Sequence, residues 1–263
     1  MTTDTMGHRL ALPVRAIDTE APWAWLAAGW RDLWRAPGVG LVYGTIFAAA
    51  SYAIAIGLIK LDLLALLLPL AAGFALLAPF LAVGVYEASR RFETGEPVGF
   101  WATALAWRRA PGQLLLAGAL LMLFFLVWVR VATLLFALFF GFGEIAPDAF
   151  ATVLLFTPKG LVFLMIGSVT GALLALAVFA IAAVSIPLIL DRDTFVVAAI
   201  ATSVVAVGRN FGPMLLWGML ISLFIAAGIV TLFLGLIVIF PLLGHATWHA
   251  YRALVPREIG GAA

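Results

Sequence analysis

The sequence predicts an all-α, polytopic helical membrane protein with six transmembrane helices, arranged as three repeats of an interfacial helix and a transmembrane hairpin. Of the 263 residues, 65% are hydrophobic and 11% are charged, whereas about 25% of the residues of a soluble domain are charged. Several apolar stretches exceed the ~20 residues that a helix needs to cross a ~30 Å hydrocarbon core. These stretches lack the period-2 alternation of a β-barrel, so their backbone must be helical.

A recurring tetrapeptide indicates how the helices are organised. Arg-Ala-Pro-Gly occupies residues 35–38 and 109–112, and Arg-Asn-Phe-Gly-Pro at 209–213 is a looser third copy. Each copy follows helix-forming residues and precedes a long apolar run, so position recurs as well as identity. The predicted repeats cover about 19–86, 97–190 and 193–252, within a single membrane domain of residues 19–256 flanked by tails at 1–18 and 257–263.

The apolar runs set the order of the spans. They predict spans at 39–59, 63–86, 113–142 and 161–190, and a run at 214–248 that divides near Ala227 and Gly228 into a fifth and a sixth span. Residues 22–34 place Trp23, Trp30 and Trp34 on one apolar stripe at helical spacing. Tryptophan favours the headgroup region, so we expect this helix to lie on the membrane surface.

The basic residues predict the orientation. Twelve of the 15 lie on one side of the predicted spans, in the segments before the first span and after the last and in the loops 87–112 and 191–212. Only Lys60 and Lys159 lie on the opposite side, and Arg130 lies within a span. The positive-inside rule then puts both termini in the cytoplasm, which an even number of spans allows.

His245 and His249 are weak candidates for a metal site. They stand one helical turn apart near the end of the sixth predicted span. Zinc sites usually need a third protein ligand, and the remaining histidine, His8, lies in the predicted tail. One helix cannot supply both axial ligands of a haem iron, so we favour a polar helix end and predict no metal and no cofactor.

Arg130 is the only charged residue inside a predicted span, and a charge in lipid is by default a functional hypothesis. Near the outer leaflet it can instead extend to the headgroups or pair with Asp62, Glu144 or Asp148. Both interpretations stay open from the sequence.

A cytoplasmic ion-pair cluster is predicted at the exit of the fourth span. It comprises Asp191, Arg192 and Asp193, with Arg90 and Arg91 of an earlier loop as candidate partners. Such pairs would fix the repeats against one another, although exposed pairs add little stability. Gly40 and Gly44, and likewise Gly167 and Gly171, have the spacing that permits close helix packing.

Several classes of function are not indicated. The chain has no cysteine and no phosphate loop, nucleophile elbow or HExxH motif. All thirteen acidic residues fall outside the predicted spans, which weakens an ion-coupled transport interpretation. The basic residues edge the membrane and indicate anionic lipid rather than nucleic acid.

Several motifs resemble a known family. Gly29-Trp30-Arg31-Asp32-Leu33, the run from Tyr86 to Pro97, the run from Phe136 to Gly141, Leu190-Asp191-Arg192 and the run from Gly244 to Arg252 resemble the DUF2189 family. The resemblance extends over nearly all of the chain after about residue 15. It implies a bacterial integral membrane protein, without an activity. Some relatives carry the label cytochrome c oxidase subunit, but three histidines are too few for the oxidase core, which needs six.

The sequence therefore predicts a non-enzymatic accessory, assembly or membrane-organising factor of the bacterial inner membrane. Its expected partners are the lipid bilayer and a membrane-protein complex or a second copy of the chain. Two alternatives remain: a transporter or permease for a small apolar solute, and a metal- or haem-carrying accessory subunit of a respiratory complex.

Overall fold

A computed structural model describes residues 11–61, 63, 66–141 and 147–257 of the chain. Helices dominate these residues, and no strand occurs among them. Five helical segments are long and apolar enough to cross a membrane: Pro37–Lys60, Pro69–Thr94, Pro111–Phe140, Pro158–Arg192 and Phe211–Val230. The predicted fold class, an all-α polytopic membrane protein, is confirmed.

The first repeat contains four helices: α1 (Ala21–Arg35), α2 (Pro37–Lys60), α3 (Leu67–Leu81) and α4 (Val83–Thr94). Pro37 begins α2 because proline fits the first turn of a helix, where no N–H is needed. The α3–α4 segment ends at Thr94, eight residues beyond the predicted end of the second span, and Gly95 caps it at a φ of 72°.

The second repeat begins with α5 (Phe100–Ala104) and a 3-10 turn (Ala106–Arg109), so its surface segment is divided where that of the first repeat is one helix. It continues through α6 (Pro111–Phe140), α7 (Pro147–Phe156), α8 (Pro158–Ala182) and α9 (Ser185–Arg192). The sequence did not predict helix α7. Its residues are apolar like those of the neighbouring span, so hydropathy does not mark them as a separate helix.

The third repeat contains α10 (Val196–Arg209), α11 (Phe211–Val230) and α12 (Leu236–Leu254). The break between α11 and α12 falls at residues 231–235, where Leu232 and Phe233 have φ values of 52° and 64°. The boundary predicted at Ala227 and Gly228 is therefore a few residues too early. Gly228 packs instead against Leu236.

Helix α12 differs from the sixth span that the sequence predicts. It runs antiparallel to α2, because Ile237 lies against Gly44 and Pro241 lies near Gly40. Its first half is apolar, but its second half carries His245, His249 and Arg252, so it is absent from the five candidate spans. The helix nevertheless brings the chain back to its starting side, since the Arg15 amide donates to the Leu254 carbonyl at 2.9 Å.

The hinge before each outgoing helix has the same backbone shape. Ala36 has φ and ψ of −141° and 66°, Ala110 has −143° and 62°, and Asn210 has −118° and 41°. We call α1, α5 with its 3-10 turn, and α10 the surface helices. Helices α4, α9 and α12 are the return helices.

The three repeats close into a cycle. Surface helix α5 packs on return helix α4, α10 packs on α9, and α1 packs on α12. Each surface helix thus contacts the return helix of the repeat before it, with the first repeat resting on the third. The return helices also contact one another, and their side chains form most of the buried core on this face.

Candidate functional site

A buried polar network joins the first repeat to the third where the cycle closes. It consists of Asp32 on α1, Ser89 on α4, and His245 and His249 on α12; we call these four residues the histidine network. Asp32, Ser89 and His245 are 6%, 0% and 2% exposed. Helix α1 approaches closely because Gly29 lies against Ala246 and Leu242, where a Cβ atom would clash.

The hydrogen bonds of this network form two branches that meet at the Asp32 carboxylate. The Ser89 hydroxyl donates to Asp32 Oδ2 at 2.8 Å and lies 2.7 Å from His245 Nδ1. Because a hydroxyl has one proton, the Ser89 oxygen must accept from His245 Nδ1–H. His249 Nε2 lies 2.8 Å from Asp32 Oδ2 and donates to it. The carboxylate therefore ends two chains of donors.

The surroundings keep Asp32 ionised. Burial alone raises the pKa of Asp32, but hydrogen bonds from His249 and Ser89, together with the charges of the two histidines, outweigh it and hold this pKa below its ordinary value. Arg35 adds a guanidinium 3.6 Å from Asp32 Oδ1, and the same guanidinium lies over the Phe92 ring at 4.5 Å.

These contacts are hydrogen bonds that join α1, α4 and α12. The separations of 2.7–2.8 Å are those of hydrogen bonds, and within the described ranges no group of three or more His, Cys, Asp or Glu side chains is placed to hold a metal ion. Ser89 also differs from a catalytic nucleophile, because its proton goes to a carboxylate and not to a histidine base.

A second network surrounds Glu87 on α4, which is 1% exposed. Arg90 forms a two-pronged pair with this carboxylate at 2.7 and 2.9 Å, and Arg91 binds it at 2.7 Å. Glu96 binds Arg90 at 2.9 Å, and this hydrogen bond is the main reason why the pKa of Glu96 falls to about 2. The prediction that all acidic residues lie outside the spans is therefore wrong for Glu87 and Glu93, which lie in the segment Pro69–Thr94, and for Asp191, which lies in Pro158–Arg192.

The predicted ion-pair cluster is divided between two places. Arg90 and Arg91 find partners on their own helix, at the i+3 and i+4 spacings that face each other. Asp191 instead accepts a hydrogen bond from the Tyr251 hydroxyl at 2.7 Å, and its carboxylate lies 3.5 Å from Arg252 Nη1. The pairing expected between the two groups is absent from the described residues.

Asp191 and its neighbours belong to a junction of the three return helices. Arg252 on α12 binds Glu93 on α4 at 3.1 Å and also approaches Asp191 on α9. Arg192 donates to the Pro256 carbonyl, and Asp193 ends α9 in a left-handed conformation at a φ of 48°. Ion pairs between repeats thus exist at this junction, but Arg252 forms them and not the predicted Arg90 and Arg91.

Arg130 lies on an exposed face of α6, ten residues before its end. Of its predicted partners, Asp62 and Glu144 lie outside the described residues, as does the side chain of Asp148. Both interpretations of Arg130, an anchor that extends to the headgroups and a functional intramembrane charge, therefore stay predictions.

Sequence reasoning identified the histidines but missed their partners. Asp32 lies off the tryptophan stripe of α1, which suggested a solvated residue. Its local signals were an acidic residue in the last turn of an amphipathic surface helix and a place in the Gly29–Leu33 motif that carries the resemblance. Ser89 and Glu87 lie within the run from Tyr86 to Pro97 that carries the resemblance, but a single sequence cannot show which residues pair across 57 or 156 positions.

Residues 67–191 match the model of the DUF2189 family. That model is described as a predicted integral membrane protein. The match confirms the resemblance over these residues, slightly less than half of the chain, from α3 to α9, and does not extend to the motifs at 29–33 and 244–252. Glu87, Ser89 and Asp191 lie within it, whereas Asp32 and both histidines of the network lie outside.

The DUF2189 match and the five apolar helices together make the chain an integral membrane protein in contact with the lipid bilayer. No curated protein matches the chain, and no solved structure does.

Proposed function

We propose that the protein is a non-enzymatic membrane-organising factor of the bacterial inner membrane, with both termini and the three surface helices on the cytoplasmic side. The observation that carries this proposal is the closed cycle of surface helices around the return helices on one face. The charge bias of the sequence supports the orientation, since twelve of 15 basic residues belong to this face.

Each surface helix presents large apolar side chains to the outside of the bundle. On α1 these are Trp23, Trp30 and Trp34, each about half exposed. Around α5 they are Trp101 and Trp107, and at the start of α10 Phe195. Amphipathic helices with tryptophan insert at headgroup depth and bind according to membrane curvature. Three such helices in one leaflet would make that end of the molecule broader than the other.

The polar networks support a structural role rather than catalysis. Ser89, Asp32 and His245 are buried and satisfy one another. The networks also connect different helices of the cycle: the histidine network joins α1, α4 and α12, and Arg109 of the second repeat lies 3.8 Å from Glu87 on α4. No contact in the described residues favours the permease alternative or the metal-carrying alternative over this proposal.

Partition between vesicles of different size tests the proposal. The protein, labelled through Arg257→Cys, is reconstituted into vesicles of mixed diameter, and only molecules that an external quencher reaches are counted. We expect a higher density per lipid area on small vesicles. We also expect that the triple variant W23Q/W30Q/W34Q loses most of this preference.

The matched control removes exposed apolar side chains from the other end of the bundle. Leu138 and Phe156 are 79% and 78% exposed, so L138Q/F156Q makes a comparable change in the opposite leaflet. A density that is independent of diameter, or equal losses in both variants, would contradict the proposal.

An accessory role within a larger complex makes a different prediction. Affinity purification from native membranes at near-native expression would then yield a stoichiometric protein partner. A membrane-organising factor is expected to bring lipid or further copies of itself.

A further inference from the structure

A lateral groove lies where the first and second repeats meet, away from the histidine network. One part, of about 350 Å³, lies between α3 and α6, and a second part, of about 280 Å³, extends toward α5. The two parts adjoin, because Phe80, Leu81 and Leu115 line both.

The groove opens to the side of the bundle and spans the depth of one leaflet. Leu115 and Met122 line it and are 59% and 44% exposed, so it faces the surrounding lipid. Met122 lies eleven residues after Pro111 at the start of α6, which corresponds to ~16 Å along the helix. This depth is close to half of a ~30 Å hydrocarbon core.

The end of the groove nearest the surface helices has polar lining residues, and a cation lies next to its rim. The Tyr43 hydroxyl donates to Thr103 Oγ1 at 3.2 Å inside this part. Trp107 lines the rim, and the guanidinium of Arg108 lies 5.7 Å from the centre of its ring. Arg108 is exposed, and no carboxylate pairs with it among the residues that the structure describes.

A cation above an apolar slot of single-leaflet depth matches the chemistry of a phospholipid. Guanidinium groups bind phosphate through charge-assisted hydrogen bonds, and tryptophan favours headgroup depth. We propose that the groove holds one acyl chain of an anionic phospholipid of the same leaflet, whose phosphate binds Arg108. The inference shares Trp107 with the surface described above, but it does not depend on the function proposed there.

Native mass spectrometry of the full-length protein tests this assignment. The protein is released from mixed phosphatidylglycerol and phosphatidylcholine bilayers, and retained lipid is counted as the activation energy rises. We expect one phosphatidylglycerol molecule to remain after the others are lost. Loss of one charge-assisted contact in Arg108→Gln should weaken its retention about tenfold, and Ala119→Phe should displace the chain by filling the groove.

Two control variants separate a specific site from general effects. Arg31→Gln removes an exposed cation from α1 on the same face, and Ala177→Phe enlarges an exposed alanine of α8 outside the groove. Both should retain the lipid as the native chain does, and Ala119→Leu replaces Ala119→Phe if the latter does not fold. Equal retention in Arg108→Gln and Arg31→Gln, or equal retention of the two lipid classes, would overturn the proposal.

Discussion

At the scale of single residues, Asp32 is a buried carboxylate with partners on several helices. One carboxylate accepts from Ser89 and His249 and lies near Arg35, so it connects all three helices at the closure between the first and third repeats. A charged acceptor in a buried site contributes more than a neutral one, since its donors would otherwise be left unsatisfied.

Replacing this carboxylate should destabilise the fold. We expect Asp32→Asn to lower the free energy of unfolding by roughly 1.5–3 kcal/mol, because the charge that accepts two donors is lost. The measurement is the midpoint of thermal unfolding in detergent, followed by tryptophan fluorescence. Asp193→Asn is the matched control, since Asp193 is exposed and asparagine tolerates its left-handed backbone. Equal midpoints for the two variants would show that the network is not needed.

Glu96 makes the stability of the protein depend on pH within a defined acidic range. Its pKa falls from 4.5 to about 2 because Arg90 and Thr94 hydrogen-bond to it. A lowered pKa in the folded state stabilises the protein above the ordinary value, and this stability is lost as the pH falls from about 4.5 through about 2.

We therefore expect the unfolding midpoint of the native chain to fall over that range, and to fall less in Glu96→Gln. Glu20→Gln, at an exposed position before α1, should leave the pH profile unchanged. A profile for Glu96→Gln that superimposes on the native one would refute the assignment.

The histidines show how far single residues could be predicted. Their i, i+4 spacing placed His245 and His249 on one face of a helix, as observed. Their partners come from 217 and 156 residues away, and helical periodicity carries no information about contacts at that separation. The prediction that they are a polar helix end is therefore incomplete: they form the interface with α1 and α4.

At the scale of the helices, close packing depends on glycine in a few places. Gly44 lies so near the backbone of Ile237 that a Cβ atom would overlap its carbonyl, and Gly171 approaches Trp128. The spacing of Gly40 and Gly44 predicted this contact. Gly167 has open space around it, so the second pair packs through one member only.

This packing predicts a sharp contrast within α2. Gly44→Ala should destabilise the protein by about 1–3 kcal/mol, because α12 must move away from α2. Gly57→Ala, in the same helix but with open space around the new Cβ, should be neutral or stabilise by up to about 1 kcal/mol through helix propensity. Unfolding midpoints in one detergent compare the two, and similar losses in both would contradict the close approach.

The ends of helices were harder to predict than their existence. Pro37 and Pro111 marked the starts of α2 and α6 closely, since a helix accepts proline in its first turn. The return helices extend past the apolar runs into polar sequence, as α4 does to Thr94. The apolar sequence stops where the chain leaves the lipid. These helices continue beyond that point because their polar side chains pair with one another.

For the whole molecule, the sequence predicted three repeats but not how they close. The recurring tetrapeptide placed the hinges, and the hinges have nearly the same dihedral angles at Ala36 and Ala110. Each surface helix packs on the return helix of the preceding repeat, which is a contact between residues far apart in sequence. The tetrapeptide is a local motif and does not predict this contact. The cycle explains why the polar networks lie at the junctions between repeats.

The arrangement requires that every repeat leaves from and returns to one face of the membrane. Labelling of single cysteines tests this requirement most directly, and the chain offers a clean background because it contains no cysteine. Asp18→Cys, Arg31→Cys and Arg257→Cys report on the face with the surface helices, and Lys60→Cys and Lys159→Cys report on the opposite face.

In spheroplasts, a membrane-impermeant maleimide should label the two lysine positions and reach the other three only after the membrane is opened. Labelling of Asp18→Cys and Arg257→Cys from opposite sides would contradict the account, because α12 would then fail to bring the chain back to α1.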